Sequence, residues 1–197
     1  GIVISESSTI ATLTLGDTTP VAIVADKTLS GTVVVDSGGV LQLSSSGSLA
    51  SAVALNGGAL DIDESLRING AITQNTSSSI DVAAGKTLTY GGPSLAIGVY
   101  TLTVTGAGTV SNTNELVLGD PLSVLKLSGT NTISGPVSLD AGLVDVDETS
   151  TLSSDLTLGG SATIDVAQEK TLTYGGASLS LGAYTLTVAG AGILSNM

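Results

Sequence analysis

Two triplets of aspartates carry the first candidate chemistry in this chain. Asp61, Asp63 and Asp81 recur 84 residues later as Asp145, Asp147 and Asp165. In each triplet two carboxylates alternate along one short apolar stretch, and the third sits on a similar stretch 20 residues beyond the first. Clustered carboxylate oxygens suit a hard cation, and Ca²⁺ is the expected ion; no other cofactor is implied. The competing reading is a solvated acidic stripe that keeps the chain soluble. Glycine-rich calcium-binding nonapeptides are missing. Lys126 is expected to form an exposed pair with Asp145.

Hydroxyl side chains form the second candidate. Thr87 and Thr89, Thr109 and Ser111, Thr132 and Ser134, Thr151 and Ser153, and Thr171 and Thr173 each flank one aliphatic residue. Stacked on one another they make two ranks of small hydroxyls, a candidate binding face. The array is similar to the ice-binding face of some solenoid antifreeze proteins, and ice or a surface glycan is the ligand it implies. Against this, Thr and Ser are simply good outward residues of strands. Arg67 and Asn69 interrupt the array.

Tyrosines follow the same interval, Tyr90 with Tyr174 and Tyr100 with Tyr184. A stacked Tyr can bind a sugar ring. A Tyr beside a Gly-Gly corner, as in TYGG, is instead expected to pack its ring and leave its hydroxyl in water. The Gly-Gly pairs lack the Lys-Ser/Thr that follows in a phosphate loop.

Enzyme chemistry is not expected. The chain has no His and no Cys, which removes the usual base near neutrality, thiolate nucleophiles and zinc ligands. Five basic residues are scattered along 197 positions, too few to build a polysaccharide-cleaving site, the third functional reading.

The elements that must position these residues follow from periodicity. An aligned repeat covers residues 33–112 and 117–196, without a gap. Throughout the chain an apolar–x–apolar unit recurs, with its last inward residue at Ile4, Ile23, Leu43, Ile62, Val82, Val104, Leu127, Val146, Val166 and Val188. Period-two alternation with frequent β-branched residues marks strands. Gly, Asn, Asp and Ser between them mark corners. Asn-Gly occurs only at Asn56-Gly57 and Asn69-Gly70, too rarely for a meander of hairpins. The expected fold is an all-β, right-handed parallel β-solenoid (β-helix) of about ten coils of roughly 20 residues, with two or three short strands each. The 84-residue repeat is then four coils, and 1–197 is one continuous solenoid.

Composition sets outer limits. Mean hydropathy is +0.49 and aromatics are 2%, which predicts an ordered, narrow, aliphatic interior. A net charge of −12 argues against nucleic acid and anionic membrane surfaces. No apolar run is long enough to cross a bilayer as a helix.

LKLSGTNTISGPVSLDAGLVDV, from Leu125, resembles the autotransporter-associated β-strand repeat, and IDVAAGKTLTYGG resembles strands of filamentous-haemagglutinin-type passengers. Ile133 stands where that repeat usually has an aromatic residue. The resemblance implies a secreted bacterial surface β-helix: an adhesin, biofilm protein or fibre component, extracellular or at the cell surface. It implies no catalytic residues. Ile2-Val3-Ile4 and Leu194-Ser195-Asn196 start and stop within coils. That predicts either neighbouring repeats of a longer array or head-to-tail stacking of copies.

Overall fold

A computed structural model describes residues 1–177 and 179–196. Among these residues the chain forms 29 short strands and no helix. In Val40–Leu43, Ala59–Ile62 and Val124–Leu127 half-buried and buried residues alternate. This is the period-two pattern of a strand with one face in a core.

Each strand pairs in parallel with its counterpart one coil later. The first sheet has ten strands, from Ile2–Ile4 to Leu186–Gly190, and the second has ten, from Ser8–Thr9 to Ile193–Asn196. The third side holds two ladders. Four strands run from Leu13–Leu15 to Ile72–Gln74, and five from Leu95–Ala96 to Leu179–Ser180. Ile72–Gln74 lies against Leu95–Ala96 where the two ladders meet. The molecule is therefore the expected β-solenoid, with coils about 21 residues apart and about nine turns. Its ten rungs span about 45 Å at the usual strand spacing.

One aliphatic core runs along the axis. The first sheet contributes two residues per rung, such as Leu41 and Leu43, Leu60 and Ile62, or Leu125 and Leu127, all at most 1% exposed. Leu and Ile at these positions fill a narrow prism that would not hold many rings.

Register departs from the sequence alignment at three rungs of each of the two long sheets. Val21 rather than Ile23 pairs with Leu43, Ile80 rather than Val82 with Val104, and Ile164 rather than Val166 with Val188. In the second sheet Ser8 pairs with Leu29, Ile68 with Tyr90, and Leu152 with Tyr174. Every slip is two residues, which leaves the inward face inward. Glycine makes the slip sterically feasible. Gly106 sits at φ 80° opposite Val82, and a Cβ there would lie 2.0–2.1 Å from the carbonyl oxygen, as at the equivalent Gly190. Only a residue without a side chain fits that approach.

Candidate functional surface

The first sheet carries the aspartates outward. Asp61 pairs with Asp81 on the next rung, and Asp145 with Asp165, as the spacing predicts. In the second copy Lys126 resolves the repulsion. Its Nζ lies 2.7 Å from Asp145 Oδ2 and 2.6 Å from Asp147 Oδ2. Ser128 Oγ donates to the same Asp147 oxygen at 3.2 Å. The lysine hydrogen bonds hold Asp147 below the usual carboxylate range, and the two carboxylates raise the Lys126 pKa.

Gln42 stands at the Lys126 position of the first copy. Its amide Nε2 donates to Asp63 Oδ2 at 2.8 Å but brings no charge. Burial, then the neighbouring Asp63 and Asp81, push the Asp61 pKa up. Thr105 Oγ1 donates to Asp81 Oδ1 at 2.5 Å. Ala189, the partner of Asp165, has no hydroxyl to do the same. Among the described residues no three carboxylates converge closely enough to hold a metal ion. In the second copy the Lys126 ammonium bridges Asp145 and Asp147.

The second sheet carries the hydroxyls. Thr87 pairs with Thr109, Thr109 with Thr132, and Thr132 with Thr151. The register slip then brings in Thr173 rather than Thr171, followed by Ser195. Thr87, Thr109, Thr132, Thr151, Thr173 and Ser195 thus form one column over six successive rungs. Beside it Thr89, Ser111 and Ser134 form a second, and Ser153 follows them, its N–H donating to Ile133 O at 2.9 Å. Thr171 is displaced from the array. Its N–H donates to Thr149 Oγ1 at 3.3 Å, and its rung partner is Ile193. Arg67 pairs with Thr89 and closes the second column from below. All these hydroxyl residues are half-buried. One rung of about 4.8 Å separates each from the next. Such a column offers a regular, uncharged row of donors and acceptors with methyl groups between them.

At Tyr90 and Tyr174 the rings pack as expected, but the hydroxyls are placed differently. Tyr90 and Tyr174 point inward and are 2% and 8% exposed. Their hydroxyl oxygens accept hydrogen bonds from the N–H of Ile72 at 3.1 Å and of Leu156 at 3.2 Å. Neither hydroxyl is wet, and burial raises the Tyr90 pKa against that bond. Gly92 and Gly176 are required beside them, because a Cβ would lie 2.7 and 2.3 Å from the Tyr hydroxyl oxygens. These two rings are unavailable to a sugar. Tyr100 is half-buried and Tyr184 is 46% exposed.

One feature leaves little trace in the sequence. Gly38, Gly39, Gly57, Gly58, Ser77–Ser79, Thr101 and Thr103 line a shallow trough of about 380 Å³ at one corner of the prism. A counterpart of about 290 Å³, including Gly142, Ser161, Thr163 and Thr187, lies 84 residues on. Stacked glycines at a corner remove side chains from consecutive rungs, and the Gly-Gly pairs were the available signal.

Comparison with family models, with curated proteins and with solved structures found no match to this chain.

Proposed function

We propose that the chain is a rigid, acidic segment of an extracellular bacterial surface adhesin or fibre, acting as a spacer or polymer element rather than as an enzyme. The observation that supports this most is the single core that runs through the stack and across the joint between the two copies of the repeat, with the apolar residues of the end rungs packed against it. A stack whose rungs each rest on the next transmits load along its axis and resists proteases at every corner. The net charge of −12, with aspartates paired outward on the first sheet, favours solubility over nucleic acid or anionic lipid. Self-association or neighbouring repeats would extend the rod through its parallel ladders.

Purified protein imaged by electron microscopy at rising concentration, with limited proteolysis in parallel, tests this reading. Rods of constant width that resist protease, and lengthen as concentration rises, support the fibre form. Rods of fixed length support the spacer form. Rapid internal cleavage of the folded chain would sink both.

A second reading rests on the six-rung hydroxyl column of Thr87, Thr109, Thr132, Thr151, Thr173 and Ser195. Its regular rung spacing and uncharged hydroxyls suit ice or a surface glycan. Thermal hysteresis with ice shaping, lost in a Thr109→Lys, Thr132→Lys double variant, would select ice. Glycan-array binding lost in the same variant would select a carbohydrate.

A further inference from the structure

Two Asn-Gly pairs occur in the chain, and the fold treats them oppositely. Asn-Gly is the dipeptide in which a backbone nitrogen with no neighbouring side chain can reach the preceding carboxamide. At Asn56-Gly57 both partners are tied. Asn56 Nδ2 donates to Asp36 Oδ1 at 2.9 Å, and Asn56 Oδ1 accepts from Asn75 Nδ2 at 2.8 Å. The Gly57 N–H donates to Ser78 Oγ at 3.2 Å. The amide therefore sits in a three-rung ladder, and the would-be nucleophile is already engaged.

At Asn69-Gly70 the carboxamide is also held, but the glycine N–H is not. Asn69 is exposed, at a corner after the strand Leu66–Ile68 and before Ile72–Gln74. Its Nδ2 reaches Ser48 Oγ at 3.4 Å, a long contact. Among the described residues no hydrogen bond engages the Gly70 N–H. Arg67 Nε donates to Asn69 Oδ1 at 2.5 Å. Room for that contact comes from Gly91, where a Cβ would stand 2.3 Å from Arg67 Nη2 and 2.8 Å from Asn69 Oδ1. Arg67 is the only arginine in the chain, and it points at the carboxamide next to a free backbone nitrogen.

We infer that Asn69 is a self-modification site, at which the folded chain converts its own asparagine to aspartate or isoaspartate. The Gly70 nitrogen loses its proton to solvent base and attacks Asn69 Cγ, forming the N–Cγ bond. The electrons of the carbonyl move onto Oδ1, where the Arg67 guanidinium stabilises the developing negative charge. Solvent returns a proton to Nδ2, and collapse then breaks the Cγ–Nδ2 bond and releases ammonia, leaving a succinimide. Water then adds and opens the ring to either acid, so no oxidant or cofactor is needed. The carboxylate formed at position 69 keeps the Arg67 contact as an ion pair. The second copy has Thr151, Ser153 and Ser154 at these positions and cannot react. This gives the interruption of the hydroxyl array by Arg67 and Asn69 a chemical consequence confined to one corner.

Peptide mapping by mass spectrometry after incubation at mildly alkaline pH tests the inference. In the folded chain Asn69 should convert and Asn56 should lag by about tenfold or more, the factor one charge-assisted hydrogen bond supplies. In urea the two rates should converge. Arg67→Gln should slow Asn69 by about tenfold with the circular dichroism unchanged. Asn69→Ser, which copies the second repeat, should abolish the signal from that peptide. Equal conversion of Asn56 and Asn69 in the folded chain would overturn the inference. So would an Arg67→Gln rate equal to the parent's, or an unreactive Asn69 under conditions that convert the unfolded chain.

Discussion

At the scale of single residues, the two copies of the repeat are a natural substitution experiment. Lys126 bridges Asp145 and Asp147 and offsets one of their two charges, whereas Gln42 offsets neither of those on Asp61 and Asp63. Gln42→Lys should install the missing bridge and stabilise the fold by about 0.5–1 kcal/mol, the range for a partly exposed pair. Urea midpoints at low and high salt check it, and the gain should shrink as salt rises. Acid titration separates the two sites further. The folded pKa of Asp61 is raised, so the folded state holds its proton more tightly than the unfolded state does. Asp61 therefore costs stability above its folded pKa, and that cost disappears as pH falls towards 3.8, the ordinary value, and below. Asp147 has the opposite sign. Its folded pKa is lowered, so its contribution is present above 3.8 and lost as pH falls through the folded value. Asp61→Asn should thus stabilise near neutrality and Asp147→Asn destabilise, with both differences closing in acid. Denaturant midpoints measured from pH 7 to pH 2 would show whether the two curves approach the parent from opposite sides. The aspartate triplets were legible from spacing alone. The reach of Lys126 to Asp147, two residues along the partner strand, was not, because a long flexible side chain leaves no periodic trace.

At the scale of the element, period-two alternation and Gly, Asn and Asp corners were enough to read strands, coils and the stacking of Asp61 on Asp81. They were not enough to read register at the wide coils. A slip of two residues preserves which side chains face inward, so the hydrophobic pattern is the same before and after it. What decides the register there is local: Gly106 against the Val82 carbonyl, and Tyr90 turned into the core opposite Ile68. That is why Thr173 rather than Thr171 continues the hydroxyl column. The Tyr90 hydroxyl bonds the N–H of Ile72, at the strand where one ladder of the third side ends and the next begins. Tyr90→Phe would leave that buried N–H without its acceptor and should cost about 1–3 kcal/mol. Tyr174→Phe makes the same change at Leu156. Both losses should show as lower urea midpoints with an unchanged slope. Full stability in Tyr90→Phe would mean that water replaces the hydroxyl.

At the scale of the whole molecule, the question is whether an 84-residue repeat makes two units or one. The joint lies between the strands Thr101–Gly106 and Val124–Leu127, and it is paired over four consecutive residues. Leu102 and Val104 on one side, and Leu125 and Leu127 on the other, are at most 2% exposed, the same as inside either copy. In a linear stack, stability is a sum of rung and interface terms, and cooperativity fails first at the weakest interface. The joint pairs four residues, as the interface after it does and one fewer than the interface before it, and is equally buried, so the parent chain should unfold as a single unit. Leu125→Asp places an unpaired carboxylate in the aliphatic core at that joint and removes apolar burial from both flanking rungs. Its expected effect is a loss of several kcal/mol at the joint and a split of one denaturation transition into two. Native-state hydrogen exchange locates the split. In the parent, protection should run continuously through residues 101–127. In the variant, it should fall at the joint while residues 40–82 and 144–174 open separately. If the parent already shows two transitions with a minimum at 106–124, the two copies are separate folding units.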